Sequence, residues 1–150
     1  MEFADNLPPI VGDRVQLQQV ILNLVRNASD AMRDVNDRPR HLLVKLEAEE
    51  EGRARLLVRD AGVGVEPQNI ERLFDAFYTT KSDGMGIGLS VSRSIIESHG
   101  GKLWAEANDG PGTTFSFSLP RTADGATGDR TGEIVWTPQI NDAHGIMRNP

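Results

Sequence analysis

Residues 42–64 read LLVKLEAEEEGRARLLVRDAGVG. Leu42, Val44, Leu46 and Ala48 alternate with Leu43, Lys45, Glu47 and Glu49, the two-residue period of a strand with one buried face. Gly52 turns the chain into a second strand from Ala54 to Arg59. That strand runs into Asp60-Ala61-Gly62-Val63-Gly64-Val65, a loop punctuated by glycines directly at a strand end. What flanks this pair decides the fold class.

Upstream, Asp13 followed by Gln16 is a capping-box arrangement. Behind it Leu17, Val20, Ile21, Leu24, Val25, Ala28, Ala31 and Met32 recur at three- and four-residue steps, one broad helical stripe. Asn36, Asp37 and Pro39 end that helix. Downstream, Pro67 opens a short helix through Leu73 and Phe74, and residues 78–88 form a loop. A second helix follows from Leu89 to Ser98, closed by Gly100-Gly101. Lys102 to Asn108 and Thr113 to Leu119 alternate as strands around the turn Asp109-Gly110-Pro111-Gly112. The order predicts an α+β fold, a two-layer α/β sandwich with helices on one face of a mixed sheet. After Pro120 the composition changes, so residues 1–120 are expected as the domain and 121–150 as linker and tail. Ile134-Val135-Trp136 and Ile146-Met147 are the sizeable apolar groups there.

Composition removes several classes of function. The chain has 150 residues, one domain's worth, with 16 Lys+Arg against 22 Asp+Glu and a formal charge of −6. That disfavours a generic binder of nucleic acid or anionic membrane. With 0 cysteines there is no disulfide scaffold, thiolate nucleophile or Cys-ligated metal. Runs such as Val20-Ile21-Leu22 fall far short of the roughly 20 apolar residues of a membrane helix, and no signal-peptide pattern opens the sequence.

Three features point to chemistry. Asn27 lies three residues after Leu24 and four after Asn23, on or beside the buried stripe. An amide there either bonds a nearby backbone or ligates a hard cation such as Mg²⁺. Asp60, at a strand end before two spaced glycines, is either an Asx-turn or a buried acceptor for a ligand's donor. Gly84-Met85-Gly86-Ile87-Gly88 runs straight into a helix, where backbone N–H groups make an anion site. It has neither dinucleotide-binding nor Walker spacing. Lys81 stands within reach of a phosphate there, or is a solvated surface lysine.

Taken in order, Leu24–Met32, Asp60–Gly64, Phe74–Phe77, Gly84–Leu89 and Gly112–Phe115 closely resemble the asparagine, first glycine, phenylalanine and second glycine boxes and the final Gly-Thr strand of one superfamily. That is the Bergerat-fold (GHKL) ATP-binding superfamily of histidine kinases, DNA gyrase B, heat-shock chaperones and mismatch-repair ATPases. The resemblance covers residues 10–120 and implies ATP and Mg²⁺ as cofactors. It implies that Asn27 coordinates Mg²⁺ and that Asp60 accepts from the adenine amine beside Gly62, Gly64 and Thr113. It further implies that Asn23, Thr79, Thr80, Lys81, Gly84, Met85, Gly86, Ile87, Gly88 and Leu89 line the nucleotide, with 78–88 as a lid.

Within the superfamily, the ATP-hydrolysing members carry a general-base glutamate one turn before the conserved asparagine; here that residue is Asn23. Phe74–Phe77 and Glu97-Ser98-His99-Gly100-Gly101 look like a sensor histidine kinase, and the short lid with Thr79-Thr80-Lys81 is most similar to oxygen- and nitrogen-sensing bacterial kinases. None of His41, His99 and His144 precedes an acidic residue as a phosphoacceptor does. The resemblance thus implies the catalytic part of a larger kinase. Catalysis falls to Asn27 and Lys81, by positioning and electrostatics. The implied partners are the dimerisation and phosphoacceptor domain of the same kinase and a response-regulator receiver domain, with no nucleic acid and no direct membrane contact. The implied location is cytoplasmic, free or as the inner part of a membrane-anchored sensor. Two other readings share the fold: a free-standing ATPase, and a module that binds nucleotide without transfer.

Overall fold

Alternating strands and striped helices can share one apolar core, and the chain uses them so. The computed structural model describes residues 2–3, 10–79, 86–121 and 134–136, the first and last segments through their backbone. In chain order the elements are β1 (Glu2–Phe3), β2 (Ile10–Gly12), α1 (Arg14–Ala31), β3 (Leu42–Ala48), β4 (Ala54–Asp60), α2 (Gly88–Ser98), β5 (Lys102–Ala107), β6 (Thr113–Leu119) and β7 (Ile134–Trp136). The short helix expected from Pro67 is two 3-10 turns, Pro67–Asn69 and Glu71–Phe74.

Five strands form one sheet in the order β1-β3-β4-β6-β5. Four are antiparallel neighbours, and β1 runs parallel to β3, which makes the sheet mixed. The registers place Val58 opposite Val44 on one side and Phe115 on the other, and Leu103 opposite Phe117. The two-residue period then puts these side chains on one face. Against that face pack Val20, Leu24 and Ala28 of α1 and Ile96 of α2, all fully buried. Each large apolar side chain so buried contributes about 1.5–3 kcal/mol.

The other face is covered differently. Thr114, Ser116 and Ser118 of β6 point away from the helices yet are no more than 5% exposed. Arg59, Arg55 and Arg53 lie over them and donate to their hydroxyls at 3.1 to 3.2 Å. Arg55 also stacks on Trp104, its guanidinium 5.1 Å from the ring centroid.

Helix ends follow the sequence signals with one change. The Asp13 side chain accepts from Gln16 N–H at 3.0 Å, as a capping box requires. The Asp13 N–H, which Gln16 would meet in a full box, instead donates to Nε2 of His99 at 3.0 Å. Gly12 leaves room for that ring, since a Cβ there would lie 2.8 Å from it. Gly100 closes α2 at φ +74°. Beyond the domain, β7 pairs antiparallel with β2, Val135 opposite Val11. Residues 134–136 therefore include a strand, in a segment whose composition reads as tail. No helix among the described residues is long and apolar enough to cross a membrane.

Candidate functional site

β4 delivers Asp60 at its last position, opposite Leu42. The residue is 3% exposed, and burial pushes its carboxyl pKa up while backbone N–H bonds from Gly62 and Thr113 oppose the shift. Oδ1 accepts both of those bonds, at 2.9 and 3.2 Å. Oδ2 accepts none among the described residues. The Asx-turn therefore occupies only one oxygen of the carboxylate, and an acceptor role for the other is compatible with it.

The loop after Asp60 is held by α1. A Cβ on Gly62 would lie 2.6 Å from the Ala31 carbonyl oxygen, and Val63 N–H donates to that oxygen at 3.2 Å. Arg38 grips the loop as well, donating to Gly62 O at 2.8 Å and Ala61 O at 3.3 Å. Gly62 is therefore glycine because a helix end needs the space. Gly64 takes φ +75°, a conformation other residues rarely adopt. Thr113, 3% exposed, opens β6 on the face it shares with Phe115.

On α1, Asn23, Asn27 and Ala31 stand at four-residue steps and so share one side of the helix. Asn23 Nδ2 donates to Ser92 Oγ of α2 at 2.9 Å. A Cβ on Gly88 would lie 2.7 Å from Asn23 Oδ1, so this glycine lets α2 begin against α1. Asn27, half-buried, sits between Asn23, which touches the start of α2, and Ala31, which touches the loop after Asp60.

α2 starts without a side-chain cap: Ile87 supplies none, and Ser90 Oγ donates backwards to Ile87 O at 2.9 Å. Ile87 thus gives the first N–H groups of the helix no cap from its own side chain. Ile87, Gly88 and Leu89 are half-buried, and Thr79 is exposed. Gly86 takes φ +69° and accepts from Phe77 N–H at 2.8 Å, closing the base of the 78–86 segment. Thr80, Lys81, Gly84 and Met85 lie outside the described residues, as does His144. The lid expected over 78–88 falls largely there.

A groove of about 460 Å³ runs past Asp60 on another side, lined by His41, Leu43, Arg59, Asn108 and Pro111. No residue of α1 or α2, nor Thr113, lines it, so it is distinct from the convergence of Asn27, Asp60 and the α2 start. Among the described residues no cluster of three or more His, Asp or Glu side chains could hold a metal ion.

Sequence reasoning passed over Arg38, Ser92 and Asn108, and read Gly112 as a turn residue and the opening of the final Gly-Thr strand without its contact to Asp60. Gly112, at φ +95°, would drive a Cβ to 2.1 Å from Asp60 O, so it is required beside the site. Ser92, 2% exposed on a mostly apolar helix, carried a readable signal. Arg38 and Asn108 did not, since both lie in stretches where polar residues are ordinary.

Comparison with known proteins agrees with this geometry. Residues 12–123 match the model of the histidine kinase-, DNA gyrase B- and HSP90-like ATPase family. The sensor protein FixL of Bradyrhizobium diazoefficiens is 48% identical over 111 residues, 74% of this chain and 22% of FixL. The catalytic domain of histidine kinase ThkA superposes with a TM-score of 0.68 at 34% identity, covering 80% of this chain and 76% of that domain. Full-length ShkA in complex with AMPPNP gives a TM-score of 0.68 at 32% identity, covering 81% of this chain and 25% of ShkA. The chain thus spans about a fifth of FixL's length. Fold, box order and relatives together make this chain a member of the histidine kinase-, DNA gyrase B- and HSP90-like ATPase family, of the kind found as the catalytic domain of sensor histidine kinases.

Proposed function

We propose that the chain binds Mg·ATP between α1, the end of β4 and the start of α2, and donates the γ-phosphoryl group to a histidine on a separate dimerisation domain of the same kinase. A receiver-domain aspartate of a response regulator is the next acceptor. Residues 1–120 form this catalytic part and 121–150 a linker and tail, in a protein working in the cytoplasm. The observation that carries the reading is the placement of Asn27, on one helix side between the uncapped start of α2 and the loop that follows a buried carboxylate.

Asp60 Oδ2 accepts from the adenine amine, with Thr113 and the backbone of Gly62 and Gly64 as that wall of the pocket. The N–H groups from Gly86 to Leu89, with Lys81 and Thr79-Thr80, meet phosphate oxygens, aided by the α2 dipole. Mg²⁺ fits Asn27: it keeps most of its waters and takes one or two protein oxygens beside substrate phosphates, so no carboxylate cluster is needed. Bound there, it would neutralise phosphate charge. Asn23 takes no proton, because an amide is no base at neutral pH and its Nδ2 is committed to Ser92. That favours transfer to an imidazole supplied from elsewhere over hydrolysis by this chain.

A titration with a fluorescent ATP analogue, with and without Mg²⁺, tests the assignment. Asn27→Ala is expected to erase most of the gain from Mg²⁺, about tenfold in affinity, with metal-free binding kept. An undiminished Mg²⁺ effect in this variant would remove Asn27 from the metal's ligands.

A further inference from the structure

We propose that Arg59, Thr114 and Asn108, on the sheet face turned away from the helices, position Asp60 for adenine recognition; this rests on the role given to Asp60 above. Arg59 Nε donates to Thr114 Oγ1 at 3.1 Å. A guanidinium only donates, so the Thr114 hydroxyl accepts there and spends its own hydrogen on Asn108 Oδ1, at 2.6 Å. That fixes which way the Asn108 amide faces. Its Nδ2 is turned toward two carbonyls, Asp60 O at 2.8 Å and Pro111 O at 3.0 Å.

The consequence falls on Asp60. The β4–β6 ladder stops at the pair Arg59–Thr114. One step further, Thr113 N–H turns to the Asp60 carboxylate rather than prolonging the ladder. Asp60 O, pressed against Gly112, takes its hydrogen bond from Asn108 instead. Asn108 therefore stands in for the missing ladder bond and releases Thr113 to hold Oδ1, which aims Oδ2. None of the three outer residues belongs to the face formed by α1 and α2, so they are positioning residues that act through Asp60.

The test compares affinity for ATP with affinity for the same triphosphate lacking the 6-amino group on its purine. Asn108→Ala is expected to lower the preference for ATP about tenfold while leaving affinity for the deaminated analogue unchanged. Thr114→Val, which removes one hydroxyl and keeps the shape, shifts the preference the same way by less and carries the test if Asn108→Ala fails to fold. Asp60→Asn serves as the reference and loses the preference altogether. Equal weakening for both nucleotides, or an unchanged preference, in a folded Asn108 or Thr114 variant overturns the positioning role. A preference that survives in Asp60→Asn overturns the role of Asp60 itself, and the two failures are separate.

Discussion

Asp60 shows how much one side chain can carry in this molecule. Its carboxyl pKa is raised, mainly by burial, so the protonated form is the one folding favours. The sign follows: the favourable contribution is complete below the unfolded value near 3.8 and is lost as pH rises through the higher folded value. At neutral pH the buried charge therefore costs stability. Asp60→Asn removes that cost, and an amide oxygen can still accept from Gly62 and Thr113. The variant is expected to melt no lower than wild type at neutral pH. It should also lose the fall in melting temperature expected of the wild type as pH rises from the unfolded value through the higher folded one. ATP affinity, by contrast, should fall ten- to a hundredfold, since an NH₂ group then faces the adenine amine. Melting curves across pH and a nucleotide titration read the two effects apart, and unchanged affinity would end the adenine assignment. At this scale the sequence was legible where a residue type was out of place: an Asn on an apolar stripe, an Asp at the end of a buried strand. It was not legible where a polar residue sat in a polar stretch, as Arg38 and Asn108 do, because their bonds to Asp60, Ala61 and Gly62 span 23 to 48 residues.

Among elements, caps and periodicity located the start of α1 and both ends of α2 to within one residue, while α1 stops at Ala31, ahead of the breakers Asn36, Asp37 and Pro39. Local chemistry sufficed where a signal was present, the Asp13 cap at the start of α1 and Gly100 at the end of α2. The half of the capping box that failed to form is informative. Gln16 is displaced as partner of the Asp13 N–H by His99, whose Nδ1 lies 2.7 Å from Ile95 O and whose Nε2 takes the Asp13 hydrogen. Nε2 accepts, which assigns Nδ1 as the donor to Ile95 O. One imidazole thereby ties the N-cap residue of α1 to the last turn of α2. Its ring sits against Gly12, a contact that no local rule anticipates. His99→Leu breaks both bonds at partly solvated sites and is expected to lower unfolding free energy by about 1–2 kcal/mol. Because this contact lies at the start of α1 and the end of α2, more than two helical turns from Asn23 and Gly88, nucleotide affinity should change less than threefold. Urea denaturation beside a binding titration checks both, and a large affinity loss without destabilisation would give His99 a part in the site.

At the scale of the whole chain, strands β1, β2 and β7 escaped sequence reasoning because two or three residues cannot show a period. The pairing of β2 with β7 also joins residues more than 120 positions apart, which only tertiary structure reveals. The proposed function meets the same limit from the other side: on that reading the site binds and orients a triphosphate, and among the described residues none is placed as an acceptor for its phosphoryl group. Asn23 supplies no base, His99 is spent on two backbone partners, and His41 is an exposed residue just ahead of β3. The isolated chain is therefore expected to bind ATP, to hydrolyse it very slowly and to leave itself unlabelled. Supplying the dimerisation domain of its own kinase should restore transfer, because what the chain lacks is an imidazole held in line with the γ-phosphate. Incubation with γ-labelled ATP, with and without that domain, reads both halves at once, and Asn27→Ala should suppress the restored signal at least tenfold. Stable label on His41, His99 or His144, or brisk phosphate release from the pure chain, would instead show an enzyme that completes its chemistry alone and would turn the assignment toward a free-standing ATPase.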